Sequence, residues 1–579
     1  MKKEMTLGPL TAVLSSEEEI TAQVDCREEK PDVWLCRLTL DWPQAVSPQP
    51  VVLQWHLPCL DMCVQWDPVF RRARYMPWME SKAFESRLAS WIPMLAFASK
   101  SGRSRLTLAL SDVKTPIRLS GDVAWPELDV TGKMTFFTGV ISPISHYEVT
   151  VRIDRQDLAF DDAIRQVTAW YGTLGYGHTH TPDAAYDSTY STWYAYQRDV
   201  HAAQLLKECR AAKKMGMDTI IVDDGWQNVK NISDYAYCGD WNPAPNRFPD
   251  MRAFVDEVHR IGMKVMLWFP VPFIGNKSDA FTRFAGKYLY SRDERSCWVL
   301  DPRYKEVREY LVQTYVHAVR EWDLDGLKLD YIDRFCKGGD PTDGMDHDSV
   351  EDATETLLGE IRDGLRAVKP DILIEFRQPY IGPVIGTYGN MLRVWDCPLD
   401  PMTNRLSIAD LRLTTAKAAV HSDMVVWTKG DSDESAATHL YATLFGVPQI
   451  SMRLNTLSAS HRRVLSAFLA LRNRHIDTLM KGKFSVRGVD GNYAVMQAGK
   501  DGERITMLSA SPLIELGDYA DEYVINLTDG QELAVVGRTD GVSYEVIDCC
   551  GKRIGRMKKL KKQERTIPVP YAAYVHFVK

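Results

Sequence analysis

The stretch GLKLDYID, residues 326–333, combines an apolar strand pattern with three charged side chains. Its leucines, tyrosine and isoleucine favour a buried strand, yet Lys328, Asp330 and Asp333 carry full charges. A buried charge costs several kcal/mol unless a partner offsets it. We therefore expect this strand to end where charged groups from other strands converge.

Seven other segments of strand character accompany this one along the chain. Helical patterns fill most of the gaps between them, and eight such units over about 290 residues predict a (β/α)8 barrel of the TIM type. The connection 380–390, YIGPVIGTYGN, is too short and too rich in glycine for a full crossover helix. The predicted strands are 191–196, 218–226, 263–271, 326–333, 372–379, 391–398, 423–430 and 447–452.

Both flanks of the predicted barrel show short runs that alternate apolar and polar residues. Examples are VWLCRLTLDW (33–42) and ELAVVGR (532–538), a pattern typical of β-sandwiches. We predict a multidomain α/β protein. Its parts are an N-terminal β-sandwich domain at 1–160, the catalytic barrel at 161–482 and a C-terminal antiparallel β domain at 483–579.

Composition narrows the classes of function. The formal net charge of -7 and the pI near 6.1 predict no basic surface for nucleic acid or for an anionic membrane. No apolar run of about 18 residues is present, and the N-terminal segment lacks the apolar core of a signal peptide. We expect a cytoplasmic protein with no membrane partner. The 11 cysteines, an odd number, favour reduced thiols over a complete disulfide framework.

Polar and aromatic residues recur where the predicted strands end. Because active sites of such barrels lie at the C-terminal ends of the strands, we expect these side chains to share one cleft. The tryptophans among them could stack on sugar rings, although each could equally fill the core. The residues are Asp223, Asp224, Trp226, Trp268, Lys328, Asp330, Arg377, Arg393, Asp396 and Trp427.

A cleft with several carboxylates and no metal-ligand spacing suits cleavage of a glycosidic bond. A retaining enzyme places two carboxyl groups about 5–5.5 Å apart, one as nucleophile and one as acid/base. Asp330 and Asp396 end the fourth and sixth strands, so they are candidates for this pair. Two alternatives stay open: Asp330 as a structural ion-pair partner of Lys328, and Asp400 in place of Asp396 as the acid.

The motifs together resemble the α-galactosidases of glycoside hydrolase family 36. VDDGWQN (222–228), followed by GDWNPAPNRFPDMRAFVDEVHRIGMKVMLWFPV (239–271), matches the family's D-D-G-W, G-D-W, F-P and G-M-K segments. LKLDYID (327–333) matches its K-x-D strand, and RVWDCPLD (393–400) stands where the family has an R-x-S-D-like segment. STWYAY (191–196) resembles its N-S-W motif. The flanking β domains agree with the family's β-supersandwich and C-terminal β-sheet.

The resemblance implies retaining hydrolysis of terminal α-galactosides, with no cofactor and with an oligosaccharide or glycoconjugate as substrate. It makes Asp330 the nucleophile and Asp396 the acid/base, and a homo-oligomer is compatible with it. By the same carry-over, Asp223 and Asp224 hold the galactose 4- and 6-hydroxyls, Lys328 holds further hydroxyls, and Trp226 and Trp268 wall the pocket. Apart from the resemblance, we predict Arg377, Arg393 and Trp193 as further substrate-binding residues.

Two segments depart from the family. After the fifth strand, many bacterial members carry a Cys- and Gly-rich segment where this chain has IEFRQPYIG (374–382). After the third strand they often show W-F-E-P-E, where this chain reads WFPVPF (268–273). We therefore expect Arg377 and Gln378 to take over a hydroxyl contact or to accommodate a substituted sugar. An α-N-acetylgalactosaminide donor, transfer of the raffinose-synthase type and sugar binding without catalysis stay open as alternatives.

Overall fold

The structure is a computed structural model that describes residues 1–69, 74–77, 82–177, 179–227, 234–561 and 565–579, without the side chain of Lys82. The strands are β1 (Lys2–Leu7), β2 (Leu10–Ser15), β3 (Thr21–Lys30), β4 (Val33–Val46), β5 (Val51–Pro58), β6 (Val64–Trp66), β7 (Lys82–Ser86), β8 (Met94–Ala98), β9 (Ser104–Leu110), β10 (Ile117–Val123), β11 (Asp129–Phe136), β12 (Ile144–Asp154), β13 (Thr189–Ser191), β14 (Thr219–Val222), β15 (Lys264–Pro270), β16 (Phe273–Gly275), β17 (Tyr288–Arg292), β18 (Cys297–Leu300), β19 (Gly326–Asp330), β20 (Leu373–Arg377), β21 (Met391–Arg393), β22 (Ala419–Val425), β23 (Val447–Ile450), β24 (Lys483–Arg487), β25 (Val495–Lys500), β26 (Glu503–Leu508), β27 (Leu513–Leu516), β28 (Asp521–Asn526), β29 (Glu532–Gly537), β30 (Ser543–Ile547), β31 (Arg553–Lys559), β32 (Thr566–Pro568) and β33 (Tyr574–Val578).

The α-helices are α1 (Phe160–Thr173), α2 (Trp193–Tyr196), α3 (Ala202–Met215), α4 (Met251–Ile261), α5 (Asp279–Arg283), α6 (Lys305–Trp322), α7 (Val350–Val368), α8 (Ile385–Tyr388), α9 (Pro401–Thr414), α10 (Asp433–Tyr441), α11 (Ala459–Arg474) and α12 (Ile476–Lys481). Short 3-10 helices cover Asp183–Tyr186, Asp293–Arg295, Ile332–Arg334 and Leu454–Thr456. Within the described ranges, no helix is both long and apolar enough to cross a lipid bilayer.

The N-terminal part consists of two six-stranded sheets. Their strand orders are β1-β2-β5-β11-β10-β7 and β3-β4-β12-β9-β8-β6. Apolar residues of both sheets share one core, among them Leu38, Leu53 and Phe97. Alternation in strands such as β5, with burial of every second residue, supplies this core. The predicted N-terminal β-sandwich is confirmed.

One expectation about the cysteines is wrong. Cys26 on β3 and Cys36 on β4 face each other in the antiparallel register and form a disulfide. Sequence spacing could not show this pairing, because it depends on which strands are neighbours. The other described cysteines are free.

The centre of the molecule is a closed barrel of eight parallel strands in the order β13-β14-β15-β19-β20-β21-β22-β23. All eight predicted strand segments overlap or adjoin these strands, so the predicted barrel is confirmed. Several are shorter than predicted, and two begin before the predicted segment and end within it. The first strand ends at Ser191, because the Ser451 hydroxyl accepts the amide N–H groups of Tyr194 and Ala195 and stabilises the helical turn α2. The seventh, β22, begins at Ala419 because its polar residues are buried and hydrogen-bonded inside the barrel.

The expected short connection between the fifth and sixth strands is confirmed. The residues between β20 and β21 are all described, and they form only the short helix α8. On the outside of the barrel, α1 packs against α9, and the Thr168 hydroxyl donates to the carbonyl of Leu413 at 2.9 Å. The missing crossover helix therefore leaves room for the N-terminal part to approach the barrel.

The C-terminal part has a seven-stranded sheet, β24-β25-β26-β28-β33-β30-β31, and a three-stranded sheet, β27-β29-β32. A buried polar cluster joins it to the rest of the molecule. Asp410 on α9 accepts hydrogen bonds from Trp66 at 3.0 Å, from Arg74 at 2.7 Å and from the Tyr493 hydroxyl at 2.6 Å. All three parts of the chain meet at this carboxylate. The domain boundaries given above stay predictions.

Candidate active site

Asp330 lies at the C-terminal end of β19 and is held by four donors. Its Oδ1 atom accepts from Arg377 Nε at 2.8 Å, from the Tyr331 amide at 2.7 Å and from the Tyr380 hydroxyl at 3.3 Å. Its Oδ2 atom accepts from Trp268 Nε1 at 2.9 Å. The structure thus brings together three residues that the sequence singled out, Asp330, Trp268 and Arg377. Because Oδ2 has the fewer donors, it has the lone pair that is free to attack.

Tyr331 adopts a backbone conformation that bulky residues avoid. Its φ of 65° lies in the left-handed region, which costs about 1–3 kcal/mol for such a residue. The turn directs the Tyr331 amide N–H at the carboxylate of Asp330, and the Tyr331 hydroxyl lies 2.8 Å from that of Tyr235. Sequence analysis did not identify Tyr331 or Tyr235, because alternation along a strand does not predict where the backbone turns at its end.

Two opposing effects, burial and nearby positive charge, determine the pKa of Asp330. Burial raises the pKa of this carboxyl, but the positive charges of Arg377 and Lys328 and the hydrogen bond from Trp268 outweigh burial and leave the pKa below its usual value. Asp330 is therefore ionised at neutral pH, as a nucleophile must be. Lys328 donates to Asp223 at 2.6 Å, so Asp330 is not the direct ion-pair partner of Lys328.

Asp223 and Asp224 follow β14 and are both buried. Asp223 accepts the hydrogen bond of Lys328, and Asp224 accepts from Arg198 Nε at 2.6 Å and from Gln227 at 3.0 Å. Since β14 ends at Val222, strand alternation no longer applies to them. Burial raises the pKa of Asp224 to about 6, against the opposing charge of Arg198.

Gly225 makes the turn after these two carboxylates possible. Its φ is +122°, and a Cβ atom at this position would lie 2.5 Å from the carbonyl oxygen of Arg198. Only glycine allows the two backbones to approach so closely. This approach brings the Arg198 guanidinium to Asp224.

Asp396 lies beyond β21 and is paired with Arg393. The Arg393 Nη2 atom donates to Asp396 at 2.8 Å, and the same guanidinium also pairs with the buried Asp423. The Asp396 side chain is 48% exposed, whereas that of Arg393 is 1% exposed. Burial raises the pKa of Asp396, but the charges of Arg393, Arg377 and Lys328 outweigh it and lower the pKa well below its usual value. Without substrate, Asp396 is therefore ionised.

Asp400, the alternative acid, has another role in the structure. It precedes α9 and accepts a hydrogen bond from the amide of Thr403 at 3.0 Å, and it also accepts from the Thr403 hydroxyl. This is the arrangement of a helix N-cap. The capping contact favours Asp396 over Asp400 as the residue that faces a substrate.

The structure contradicts the expected role of Trp226 as a pocket wall. Trp226 is fully buried and packs against Trp241, Phe269 and Trp322. Its indole N–H donates to the carbonyl of Trp268 at 3.0 Å. Gly225 turns the chain at the strand end, so this side chain points into the layer between barrel and helices. Trp226 supports Trp268 from behind and does not line the cleft.

The other tryptophans divide between site and core. Trp268 is 2% exposed, and the structure shows it as a donor to Asp330 rather than as an open wall. Trp193, on α2 instead of the first strand, is half-buried, and the Arg198 guanidinium lies 5.8 Å from its ring centre. Trp427 is buried and donates to His461 at 3.2 Å, so it belongs to the core.

A polar network inside the barrel was not predicted. Glu375 on β20 is fully buried, accepts from Gln449 and lies 3.9 Å from the Arg393 guanidinium. Burial raises the pKa of Glu375, while the charges of Lys328 and Arg393 oppose the rise. His421 donates to or accepts from its neighbours inside the same barrel, and burial lowers its pKa to about 3, so it is neutral. The sequence carried one signal: Glu375 stands two residues before Arg377 and so shares its face.

The arrangement fits acid–base and nucleophilic chemistry on a neutral substrate. Asp330 is a fixed, ionised carboxylate, and Asp396 is a more exposed carboxyl. The charges of Arg377 and Lys328 act on both. Among the residues that the structure describes, no group of three or more His, Cys, Asp or Glu side chains is arranged to hold a metal ion.

Comparisons with known proteins show which family and fold the chain resembles. The Melibiase family model matches residues 187–382. The α-galactosidase Mel36A of Lactobacillus acidophilus is 29% identical over 148 residues, which are 24% of this chain and 19% of that protein. The matched segments cover between 19% and 26% of the length of this relative and of the α-galactosidase C of Emericella nidulans.

Solved structures show the same fold over almost the whole chain. The α-galactosidase of Lactobacillus brevis has a TM-score of 0.65 at 16% identity and covers 98% of this chain and 81% of its own. A variant of the family 36 α-galactosidase AgaA from Geobacillus stearothermophilus, in complex with stachyose, has a TM-score of 0.65 at 14% identity, covering 98% and 83%. The predicted resemblance to glycoside hydrolase family 36 and the predicted fold are confirmed.

Proposed function

We propose that this protein is a retaining glycoside hydrolase that releases terminal α-linked galactose from oligosaccharides or glycoconjugates. The observation that carries the proposal is the geometry of Asp330. Its carboxylate is buried, ionised and fixed by four donors, with Oδ2 left free to attack. A structural ion pair needs no such arrangement, whereas a nucleophile does.

The reaction proceeds in two displacements. In the first, Asp330 Oδ2 forms a bond to the anomeric carbon, the bond from that carbon to the leaving oxygen breaks, and Asp396 gives its proton to this oxygen. In the second, Asp396 takes a proton from water, the water oxygen bonds to the anomeric carbon, and the bond to Asp330 breaks. Two inversions leave the anomeric configuration unchanged.

Four groups close to Asp330 are suited to bind the sugar. Asp223 and Asp224 offer carboxylate oxygens to hydroxyl groups, and Lys328 offers an ammonium group that Asp223 already orients. Trp193 offers the face of a ring beside Arg198. Arg377 donates a hydrogen bond to Asp330 itself. It therefore fixes the nucleophile and can contact the sugar through its remaining N–H groups.

The relatives support this assignment of substrate. The proteins with matched segments include α-galactosidases, and the structural neighbours include one in complex with stachyose and one in complex with raffinose. The matched segment of Mel36A lies within a protein much longer than the match, so activity and substrate are proposed here for the whole chain.

The test uses nitrophenyl α-galactoside and nitrophenyl α-N-acetylgalactosaminide with the wild type, Asp330→Ala and Asp396→Ala. We expect the wild type to hydrolyse the galactoside and Asp330→Ala to be inactive. Azide should restore turnover in Asp330→Ala and give the β-galactosyl azide, because azide then attacks in place of Asp330. In Asp396→Ala, azide should give the α-galactosyl azide, since Asp330 still forms the first bond.

Three results would contradict the proposal in whole or in part. Exclusive turnover of the N-acetylgalactosaminide would change the donor sugar and leave the mechanism standing. Full activity of Asp330→Ala would show that Asp330 is not the nucleophile. Transfer of galactose to a second sugar in preference to water would identify a transglycosylase.

A further inference from the structure

An exposed tryptophan stands directly before the proposed acid/base. Trp395 is 44% exposed, whereas Trp226 and Trp268 are 0% and 2% exposed. Its ring is stacked on that of Trp91, with ring centres 6.3 Å apart and an angle of 6° between the planes. Trp91 comes from the N-terminal sheets, so two parts of the chain build one aromatic surface. We call Trp91 and Trp395 the tryptophan pair.

The backbone holds both members of the tryptophan pair in place. The Trp395 amide donates to the Gln378 side chain at 3.0 Å, and the Trp91 amide donates to the carbonyl of Pro379 at 3.4 Å. Trp91 has a φ of 55°, in the left-handed region, so its conformation is maintained at a cost. Trp91 is half-buried and packs against the N-terminal core, so its ring gives Trp395 a fixed support.

A close approach of two backbones makes this docking possible. A Cβ atom on Gly382 would lie 2.8 Å from the carbonyl oxygen of Trp91. Gly382 belongs to the connection between β20 and β21, which has no full crossover helix. The missing helix and this glycine together admit the Trp91 loop to the C-terminal end of the barrel.

The position of Trp395 identifies what it can bind. A general acid must lie within hydrogen-bond reach of the leaving oxygen. Trp395 adjoins Asp396 in the chain, and Gln378, which holds its amide, adjoins Arg377, the donor to Asp330. From these links we place the Trp395 ring on the leaving-group side of the cleft. A leaving-group sugar presents a flat face of C–H bonds, which packs well on an aromatic ring.

We propose that Trp395, supported by Trp91, is a stacking platform for the leaving-group sugar of the substrate. This inference rests on the proposed glycoside hydrolysis and adds the site of the second sugar. It assigns to the N-terminal sheets a part in substrate binding.

The platform has a chemical consequence for Asp396. A sugar stacked on Trp395 covers the carboxyl group, which is 48% exposed without substrate. Loss of water raises the pKa of a carboxyl group. Binding of the leaving-group sugar thus moves Asp396 toward the protonated form that the first step requires.

The test compares two substrates that share the galactose and differ in the leaving group. Raffinose has a sugar as leaving group, whereas α-galactosyl fluoride has none and needs little protonation. For Trp395→Ala, we expect kcat/KM on raffinose to fall about tenfold or more, with the value on the fluoride changed by less than about twofold. Trp91→Ala should cause a smaller loss with the same selectivity, and Trp395→Phe should restore part of the activity.

Trp125 supplies a matched control, because it is 66% exposed and lies between β10 and β11. Trp125→Ala should leave both substrates unchanged. An equal loss on raffinose and on the fluoride in Trp395→Ala would overturn the platform, as would no loss on either. If the wild type turns over neither substrate, the proposed function fails and the platform with it. If the wild type turns over the fluoride but Trp395→Ala shows no selective loss on raffinose, the platform alone fails and the proposed function stands.

Discussion

Replacement of Arg377 by glutamine tests how the charge on the nucleophile is maintained. Arg377 Nε donates to Asp330 Oδ1 at 2.8 Å, and both side chains are buried. Glutamine keeps part of the length and the hydrogen-bonding ability and removes the charge. The remaining stabilisation of the ionised carboxylate then comes from Lys328 and from the Trp268 hydrogen bond.

The magnitude follows from the contact. A hydrogen bond between charged groups contributes about 1.5–3 kcal/mol to stability, and one pKa unit corresponds to about 1.4 kcal/mol. Because Arg377 favours the ionised form of Asp330, its removal raises the pKa of Asp330, and the ionised form loses about 1.5–3 kcal/mol of stabilisation. The acidic limb of kcat/KM, which requires ionised Asp330 in the free enzyme, then moves to higher pH.

The assay is the pH dependence of kcat/KM on nitrophenyl α-galactoside for the wild type, Arg377→Gln and Arg377→Lys. Lysine keeps the charge and loses the planar guanidinium that fixes Oδ1. We therefore expect Arg377→Lys to lower the plateau with a smaller shift of the acidic limb. Arg152, which donates to the buried Asp154 at 2.8 Å in the N-terminal sheets, gives a matched control. Arg152→Gln removes a buried ion pair of the same kind and should leave the acidic limb in place.

An acidic limb that stays in place in Arg377→Gln would refute the reasoning. It would mean that Lys328 and Trp268 alone keep Asp330 ionised, and that Arg377 only positions the carboxylate. A shift to lower pH would contradict the sign of the electrostatic argument. A shift of the same size in Arg152→Gln would show that the effect comes from loss of stability.

Three further predictions separate catalysis from structure. Asp396→Ala should reduce turnover of raffinose by about 10²–10⁴-fold and that of nitrophenyl galactoside much less, because nitrophenolate leaves without a proton; equal losses would contradict the acid role. Asp400→Asn should keep activity and stability, since asparagine also caps helices, whereas Asp400→Ala should cost about 1 kcal/mol, measured by thermal unfolding. Asp410→Ala should destabilise the protein by about 3–5 kcal/mol, because it leaves Arg74 buried without its carboxylate, and limited proteolysis should then cleave the junction of the three parts faster than in the wild type.

Strand positions could be predicted because buried parallel strands read as short apolar runs between helical patterns. The predicted bounds were displaced at two strands whose structure depends on distant residues. The turn at α2 needs the Ser451 hydroxyl, which lies 257 positions away in the chain. β22 contains His421 and Asp423. These side chains are compatible with a buried strand because the His421 ring donates to the carbonyl of Ala185 and the Asp423 carboxylate accepts from Arg393.

The candidate site was predictable as a set of strand ends, but its internal pairing was not. The barrel topology explains why charged residues gather at one end. Alternation gives the face of a side chain and not its partner, so the contacts of Lys328 with Asp223 and of Arg377 with Asp330 needed coordinates. Beyond the last strand residue even the face is lost, which is why Trp226 was assigned to the pocket and lies in the core.

The segment 377–382, in which the sequence departs from the expected family pattern, contacts both the proposed nucleophile and the tryptophan pair. Arg377 and Tyr380 bind the nucleophile, Gln378 holds the amide of Trp395, and Pro379 and Gly382 receive the Trp91 loop. A crossover helix at this point would separate the N-terminal sheets from the barrel and leave Trp395 without its stacking partner. The short connection therefore serves both steps: it holds Asp330 and it positions Trp395, the proposed platform for the leaving group. Substitutions in these six residues should alter leaving-group preference and nucleophile pKa together, whereas substitutions at Asp223 or Asp224 should alter only the choice of donor sugar.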